Sequence, residues 1–213
     1  MTTIVGRDCK IEVALTFDSA INPTAMTKAN PGVATLTGHS VETGDVGYWT
    51  VTAGMVELDE QAVYCTDTDA NTFTCNGLVT TNYSTYSSGS LTLAASWGTL
   101  SESAGWNVGG GAAAPLDDTR LTDVKTRNVA GLLAPQDLTV DLRSPVTSGA
   151  ALAFVEAAAV TGGKILVKIS KGGTVLRVAY GTPSIPGEAV AAGGLGSGQF
   201  NLICAGWLLK PNV

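Results

Sequence analysis

The residue types best suited to metal binding or nucleophilic chemistry are few and widely spaced. The chain has four cysteines and one histidine: Cys9, Cys65, Cys75, Cys204 and His39. No two cysteines have the Cys-x-x-Cys spacing of a zinc site, so a metal centre would need distant parts of the chain to converge. We therefore predict no metal and no cofactor, and we expect all four cysteines to be buried as small apolar side chains.

Cys65 and Cys75 differ from the other two cysteines because they flank a predicted turn at residues 67–71. This spacing allows the two side chains to face each other across a β-hairpin. In a reducing compartment we expect them to remain thiols, and the sequence leaves open whether they are bonded.

No combination of residues typical of catalysis is present in the sequence. The Gly-x-Ser-x-Gly motif is absent, and a Ser-His-Asp triad would depend on His39, which lies between strands and is predicted to bond to the backbone of a turn. The Gly-rich run at 193–198 precedes a strand and has no following lysine, so it is predicted to be a flexible loop and not a phosphate-binding site. We therefore predict that the protein is not an enzyme.

Two groups of acidic residues are better explained as exposed charges than as reactive carboxylates. Asp117, Asp118 and Asp123 have Arg120 and Lys125 close by in sequence as charge partners. A hard cation would need several converging oxygens. The second group is interpreted as an exposed acidic face and not as paired catalytic carboxylates; it comprises Glu57, Asp59, Glu60, Asp67 and Asp69.

Composition favours a weakly charged, folded protein. Of 213 residues, 45% are hydrophobic and 14% are charged; the formal net charge is −6 and the pI is about 4.6. An acidic chain lacks the basic patch that binding to nucleic-acid phosphates requires. No apolar run approaches the length of a membrane helix, and no signal peptide is recognisable. We expect the protein to be made in a cytoplasm, and to remain there or leave inside a larger assembly.

Alternation of apolar and polar residues predicts a mainly β protein. The clearest strand is 10–17, and the clearest hairpin joins 164–170 to 174–180 through Gly172 and Gly173, because glycine supplies the positive φ that a tight turn requires. Further strands are predicted at Leu36–Thr37, Val46–Val51, Gln61–Cys65, Thr72–Leu78, Leu91–Trp97, Val124–Val129, Leu138–Leu142 and Gln199–Leu209.

One helix is predicted at 148–160, because the segment is rich in alanine, the strongest helix former. Thr147 or Ser148 is the expected N-terminal cap, and Gly162 is expected just beyond the C-terminus. The helix is apolar on most sides and carries a single charged residue, Glu156. We therefore expect one side to meet the sheet and another to meet a neighbouring subunit.

Three stretches are predicted to be long loops, at 18–32, 98–116 and 182–198. Such loops are uncommon in compact domains and are usually functional, so we expect them to become ordered on contact with another subunit. The segment 33–89 has its own short strands and is predicted to be a small β domain, inserted into a β-sandwich formed by residues 1–32 and 90–213.

The order of elements in the C-terminal part resembles the tail tube protein of long-tailed bacteriophages, the siphoviruses. The similarity covers about residues 5–17 and 90–210. It rests on the segment 117–132, the strand at 138–142, the Ala-rich helix, the hairpin at 165–180, a Pro-Gly loop and the closing strand at 200–209. A second similarity, over 36–45, 53–59 and 69–73, is to a small β module of phage virion proteins.

This resemblance implies two packed β-sheets, as a sandwich or barrel, flanked by one α-helix. Subunits of the family form hexameric rings that stack into a tube, and the phage DNA passes through the lumen. The implied partners are further copies of the chain, the tape measure, tail terminator and distal tail proteins, and passing double-stranded DNA without specific binding, with no membrane insertion. The implied location is the virion tail, assembled in the cytoplasm of the host bacterium.

The family has no catalytic residues, so the resemblance implies interfaces only. The segment 98–115 would be an arm between rings, residues 2–7 and 183–198 would lie at contacts between rings, and the insert at 33–89 would project outward. A net-negative chain would also repel DNA phosphates, which predicts a lumen that is net negative. The residues assigned to interfaces are Trp106, Pro115, Leu152, Phe154, Pro186 and Leu195.

Other functions remain open beside the tail tube. One is another phage virion β-protein, such as a tail terminator, a head decoration protein or a fibre-base protein. Another is a carbohydrate-binding, adhesin-like module, which the aromatic and polar residues of the insert suggest. Self-association distinguishes them, because a tube subunit forms rings or polymers whereas a binding module stays monomeric.

Overall fold

The computed structural model describes residues 9–101, 103–110, 113–117, 128–133, 136–143, 149–189 and 197–211; for 113–117, 128–133 and 188–189 the backbone alone is described. Within these ranges the protein is mainly β, with one α-helix, as predicted. The first strands are β1 Cys9–Phe17, β2 Ala25–Met26, β3 Gly32–Thr35, β4 Val46–Ala53, β5 Ala62–Asp69, β6 Thr72–Asn76 and β7 Ser88–Thr99, with a short 3-10 helix at Val56–Leu58. The remaining elements are β8 Ser103–Gly110, β9 Ala113–Asp117, β10 Asn128–Leu133, β11 Gln136–Arg143, α1 Ala150–Thr161, β12 Ile165–Lys171, β13 Thr174–Pro183, β14 Gly187–Ala189 and β15 Ser197–Cys204.

The strands join into one long antiparallel sheet, whereas the sequence predicted two packed sheets. Its order is β2-β3-β6-β5-β4-β7-β1-β12-β13-β15-β11-β8, and β14 pairs with β15. The reason for the continuity is the length of β7: residues 88–93 pair with β4, and residues 94–99 pair with β1. Strands β9 and β10 form a separate antiparallel pair.

The sheet encloses two hydrophobic cores on opposite faces of its central strands. The first core contains Trp49 and Phe73, and the second contains Phe200. Strand β1 serves both, because Val13 points into the second core and the next residue, Ala14, points into the first. Neighbouring residues of β12 and of β13 likewise point alternately into the first core and into the second. The two cores therefore share the strands that lie between them.

Helix α1 covers the second core and begins close to the predicted position. Gly149 is the N-terminal cap residue and makes no side-chain cap bond, whereas the predicted caps Thr147 and Ser148 lie outside the described residues. Gly162 has φ 68°, the left-handed conformation that ends a helix, as predicted. At 12 residues, α1 is too short to cross a bilayer, and no helix in the described part of the chain has the length and hydropathy to do so.

The predicted hairpin is present, and its turn has the expected geometry. Gly172 and Gly173 have φ values of 55° and 82°, which side chains larger than glycine rarely adopt. Strands β1, β4, β5, β6, β7, β11 and β15 also overlap their predicted positions. The prediction at Leu36–Thr37 was wrong, because β3 ends at Thr35 and the chain turns at Gly38, where φ is 68°.

All three predicted loops contain strand residues, and the stretch 18–32 includes the short strand β2 and the first residue of β3. The stretch 98–116 includes β8 and most of β9, and the stretch 182–198 includes β14. The prediction relied on the low β propensity of glycine and alanine, which are common in these stretches. In the structure β8 pairs with β11 and β14 pairs with β15, and the backbone hydrogen bonds of such pairs do not depend on side chains. Strand β10 begins at Asn128, and most of the predicted strand at 124–129 lies outside the described residues.

The segment 33–89 is attached to the rest of the chain by polar and aromatic contacts as well as by the sheet. The rings of Tyr48 and Tyr180 stack with centroids 4.1 Å apart. The buried Gln61 amide donates to the Trp207 carbonyl at 2.7 Å and accepts from the Trp207 N–H at 2.8 Å. Glu60 forms an ion pair with Lys164. The boundaries of an inserted domain at 33 and 89 remain a prediction.

The turn before β4 contains a carboxylate that is partly withdrawn from water. Asp45 accepts a hydrogen bond from the Glu42 N–H at 2.8 Å. Burial raises the pKa of Asp45 above its ordinary value of 3.8, and the hydrogen bond opposes this effect less strongly. The folded protein therefore binds this proton more tightly than the unfolded chain, so ionisation of Asp45 costs stability as the pH rises through its folded pKa.

Asp45→Asn is accordingly expected to unfold at a urea concentration equal to or above that of the wild type at pH 7. The asparagine oxygen can still accept from Glu42, while the cost of burying a charge is removed. The difference is expected to shrink as the pH falls toward 3.8, where the wild-type carboxyl is also becoming neutral. Urea unfolding of both proteins at several pH values checks this, and a variant clearly less stable at pH 7 would contradict it.

Candidate interaction surfaces

The residues that the sequence assigned to interfaces lie in very different environments. Leu152 is fully buried in the second core, so it packs within its own chain and is not presented to a neighbour. Phe154 and Trp106 are half-buried against the same core. Pro186 is half-buried just before β14. Pro115 lies within β9, where the backbone alone is described, and Leu195 lies outside the described residues.

An exposed apolar stripe runs along the outer side of α1. Ala153, Ala157 and Val160 are exposed, and Val160 is 75% accessible. Their spacing of four and three residues places them on one face of the helix, opposite the buried Leu152 and Val155. The sequence predicted a helix with a second apolar side but not which residues form it, because the direction in which a nearly all-apolar helix docks is decided by tertiary packing.

The edge strand β8 is long and uncharged. Among the residues that the structure describes, β8 pairs with β11 and with no second strand. Its eight residues include three glycines and neither a charged residue nor a proline. Proteins usually protect exposed edges with lysine, proline or short strands, because unpaired N–H and C=O groups invite pairing with another chain. The opposite edge, β2, is only two residues long.

A small pocket lies between the start of β1 and the same edge strand. Its volume is about 240 Å³, and it is lined by Cys9, Ile11 and residues 103–106. The curl of the sheet therefore brings β8 toward β1 on the second-core side. Cys9 is half-buried there, so the prediction that all four cysteines are buried is wrong for this one.

The outer face of strands β8, β11 and β15 is polar and smooth. Asp137 and Asp141 alternate with the buried Leu138, Val140 and Leu142 along β11. On β8, Gly109 is the register partner of Asp137 and Gly105 is the register partner of Asp141. Neither glycine has a side chain that could cover the carboxylate. The same face carries Thr139, whose hydroxyl donates to Asn201 at 2.8 Å, and the exposed Ile203, which is 60% accessible.

The negative charge of the chain is concentrated in the segment 33–89. Seven of the 18 acidic residues and none of the twelve Lys and Arg residues lie there, so this segment carries −7 and the remainder of the chain carries +1. Net charge alone therefore says little about the sheet face just described. The charges of that face are those of its own residues, which on β11 are Asp137, Asp141 and Arg143.

His39 has the structural role that the sequence predicted. Its Nδ1 accepts from the Val41 N–H at 3.2 Å, and its Nε2 donates to the Asp69 carbonyl at 2.9 Å. The ring also packs edge-on against Phe73. Both nitrogens are therefore engaged by the backbone. Asp69 accepts hydrogen bonds from Asn71 and Thr72, which lower the pKa of its carboxyl.

A polar groove crosses β1 and β12 on the face opposite the second core. Lys168 lies 3.3 Å from Glu12 and 4.1 Å above the ring of Trp97. Lys10, Ser170 and the turn at 172–173 complete a groove of about 470 Å³. Because the Lys168 charge is matched by both Glu12 and the ring of Trp97, the arrangement links strands β1, β7 and β12.

A second groove lies where the C-terminal residues meet the segment 33–89. Its volume is about 260 Å³, and Val79, Tyr83 and Trp207 line it. Trp207 is 47% accessible because the Gln61 amide holds its backbone and leaves the ring outward. The sequence gives no sign of this contact, because Gln61 and Trp207 are distant in the chain.

The described residues contain no group of three or more His, Cys, Asp or Glu side chains placed to hold a metal ion. Asp118 and Asp123 of the acidic run lie outside the described residues.

Three of the four cysteines are buried thiols: Cys65, Cys75 and Cys204. Burial raises the pKa of Cys204 to about 11. Comparison with known protein families finds none that matches this chain, and comparison with curated proteins finds none that is similar.

Proposed function

We propose that the chain is a structural virion protein, the subunit of stacked hexameric rings that form the tail tube of a long-tailed bacteriophage. The observation that carries the proposal is the uncharged edge of β8, which pairs on one side only within the described part of the chain and is suited to pairing with a strand of a second copy. The resemblance of the element order to tail tube proteins supplies the identity of the assembly. Further copies, other tail proteins and passing DNA are the partners in this proposal.

The exposed stripe of α1 supports association through a second surface. Ala153, Ala157 and Val160 are small or apolar and uncharged, so a neighbouring subunit can approach the helix closely. The edge of β8 and the exposed stripe of α1 are two different surfaces of the same subunit. Contacts between unlike surfaces generate rings or stacks when repeated, which is what a tube requires.

Under this proposal, the outer face of β8, β11 and β15 lines the lumen. Continuing the sheet from subunit to subunit through β8 would make this face continuous around a ring. Asp137 and Asp141 would then repeat around the channel and repel DNA phosphates, and they outnumber Arg143, the cation on the same face of β11. The glycines of β8 keep the surface smooth. The proposal predicts a lumen of net negative charge, and an assembled lumen that is net positive would refute this part.

The alternative of a carbohydrate-binding module has one observation in its favour. The groove beside Trp207 and Tyr83 presents aromatic surface of the kind on which sugar rings stack, and it lies against the segment 33–89. A protein of this class would remain a monomer and bind its ligand there. Another phage virion β-protein would share the association surfaces but would not form long tubes.

Electron microscopy of the purified protein distinguishes these functions. Incubation at high concentration is expected to yield hollow rings or tubes with a lumen wide enough for duplex DNA. Closed rings that never stack would favour a tail terminator. Particles of monomer size at every concentration tested, and also after addition of preformed phage tail initiator complexes, would refute the tube proposal.

Ala153→Glu is expected to abolish rings and tubes while leaving the monomer folded. The residue is exposed in the first turn of α1, where an acidic side chain is favoured by the helix dipole, so its effect on folding stability is expected to stay below about 0.5 kcal/mol. A buried charge at a subunit contact would instead be costly. Sedimentation velocity and electron microscopy measure assembly, and circular dichroism measures folding.

Ala70→Glu is the matched control for this experiment. Ala70 is also exposed, but it lies in the turn between β5 and β6, in the segment that the proposal directs outward from the tube. This variant is expected to assemble like the wild type. Normal tubes from Ala153→Glu would exclude the helix stripe from the interface. Phe154→Asp is less informative, because Phe154 packs against the second core and a charge there would impair folding itself.

A further inference from the structure

Cys65 and Cys75 occupy a position in the β5–β6 hairpin where a covalent link is geometrically accessible. The two residues are direct register partners. The Cys65 N–H donates to the Asp45 carbonyl at 2.7 Å, and its carbonyl accepts from the Gly44 N–H at 3.0 Å, so both backbone groups point away from β6. The two cysteines therefore form a non-hydrogen-bonded pair.

Pairs of this type bring opposite side chains closest together. Their Cα atoms are typically about 4.5 Å apart, which lies within the range of about 4.4–6.8 Å that a disulfide spans. Both side chains point into the first core and are fully buried, and both are free thiols in the structure. The interaction with Cys75, together with burial, raises the pKa of the Cys65 thiol.

We propose that Cys65 and Cys75 are a redox-responsive pair that closes into a disulfide when the protein meets a disulfide oxidant such as oxidised glutathione. The thiolate of one cysteine attacks a glutathione sulfur and forms a mixed disulfide, releasing one glutathione thiolate. The second cysteine then displaces the remaining glutathione. Two cysteine thiols are oxidised, oxidised glutathione is reduced to two glutathione molecules, and these take up the two protons.

Burial controls the rate of this reaction. An oxidant cannot reach the fully buried sulfurs until the hairpin opens locally, and the thiolate form is scarce while the pair is buried. The pair is thus protected as thiols in the folded protein and reacts during folding or local opening. This inference is independent of the proposed tail function, because it depends only on the hairpin.

The experiment uses the whole chain, which is first fully reduced. It is then incubated with reduced and oxidised glutathione at an oxidising ratio, once in buffer and once in urea at a concentration just below the unfolding transition. Free thiols are counted by alkylation after denaturation. We expect two of the four thiols to be lost, the mass of each chain to fall by two hydrogens and no disulfide to form between chains on a non-reducing gel. The melting temperature is expected to rise by about 5–10 °C, and reduction is expected to reverse the change.

Peptide mapping identifies the bonded pair. Trypsin leaves residues 29–120 as one peptide, because the chain has no Lys or Arg from 29 to 119. Cleavage on the N-terminal side of aspartate cuts at Asp67 and Asp69, between the two cysteines, so a disulfide is seen as two fragments joined until reduction. No such joined fragments should appear in the reduced protein.

The control variant is Cys9→Ser combined with Cys204→Ser, which leaves Cys65 and Cys75 as the remaining thiols. This variant is expected to lose both thiols and gain thermal stability as the wild type does. Retention of all four thiols in the wild type under both conditions would overturn the proposal. Fragments that join Cys9 or Cys204 to another cysteine would overturn it too, as would an oxidised form that melts at or below the temperature of the reduced form.

Discussion

Gly181→Ala is expected to separate β13 from β15 and to lower the free energy of unfolding by about 3 kcal/mol. A Cβ atom at this position would overlap the carbonyl oxygen of Ile203 and would lie 2.9 Å from the Cα of Cys204. Both are backbone atoms and cannot rotate away, so the strands themselves must move. The pairing at risk, Gly181 to Cys204, joins the central strands to the outer part of the second core.

Thermal unfolding followed by circular dichroism measures this effect. A loss of this size corresponds to a fall in melting temperature of about 6–12 °C for a chain of this length. Gly187→Ala is the matched control, because the nearest atom to its added Cβ would be 3.8 Å away, an ordinary contact. Equal melting temperatures for the two variants would show that β13 and β15 do not approach each other as described.

Trp49→Ala is expected to cost about 3–5 kcal/mol and to lower the whole unfolding transition, not a part of it. Trp49 is fully buried in the first core, and its removal leaves a large cavity. Phe200→Ala is the corresponding change in the second core, where Phe200 is equally buried. Because β1, β12 and β13 line both cores, we expect the two variants to shift the same single transition.

Tryptophan fluorescence and far-ultraviolet circular dichroism, recorded on the same samples, test this cooperativity. Coincident curves for both variants are the expected result. If Trp49→Ala shifts one phase and leaves a second phase at the wild-type temperature, the segment 33–89 unfolds as a domain of its own. Trp49→Phe is a useful comparison, because it keeps much of the buried volume and removes an indole N–H for which the described residues supply no hydrogen-bond partner.

Several elements could be predicted from sequence because their signals are local. The Gly-Gly turn at 172–173 needs positive φ, the left-handed end of α1 needs Gly162, and the alternation in β1 marks its buried side. His39 was also correctly assigned to a turn. Each of these depends on neighbours within a few residues, so chain periodicity and backbone sterics are sufficient to predict them.

The association surfaces could not be predicted in the same way. Whether β8 is a loop or a free edge depends on its pairing with β11, which begins 26 residues after β8 ends. Whether Leu152 or Ala153 faces outward depends on how an almost uniformly apolar helix docks on the sheet, for which the sequence provides no contrast. The order of non-local strands decides both, and hydrophobic pattern alone does not encode that order.

The sequence by itself thus determined that this chain is a β-rich protein with one Ala-rich helix and without a recognisable catalytic motif, because composition, periodicity and turn residues act locally. The tertiary structure alone decided that the strands of the main sheet enclose two cores, that β8 is an edge strand among the residues described and that Cys65 faces Cys75 as a non-hydrogen-bonded pair. These features arise where distant segments pair, and pairing is a property of the whole fold.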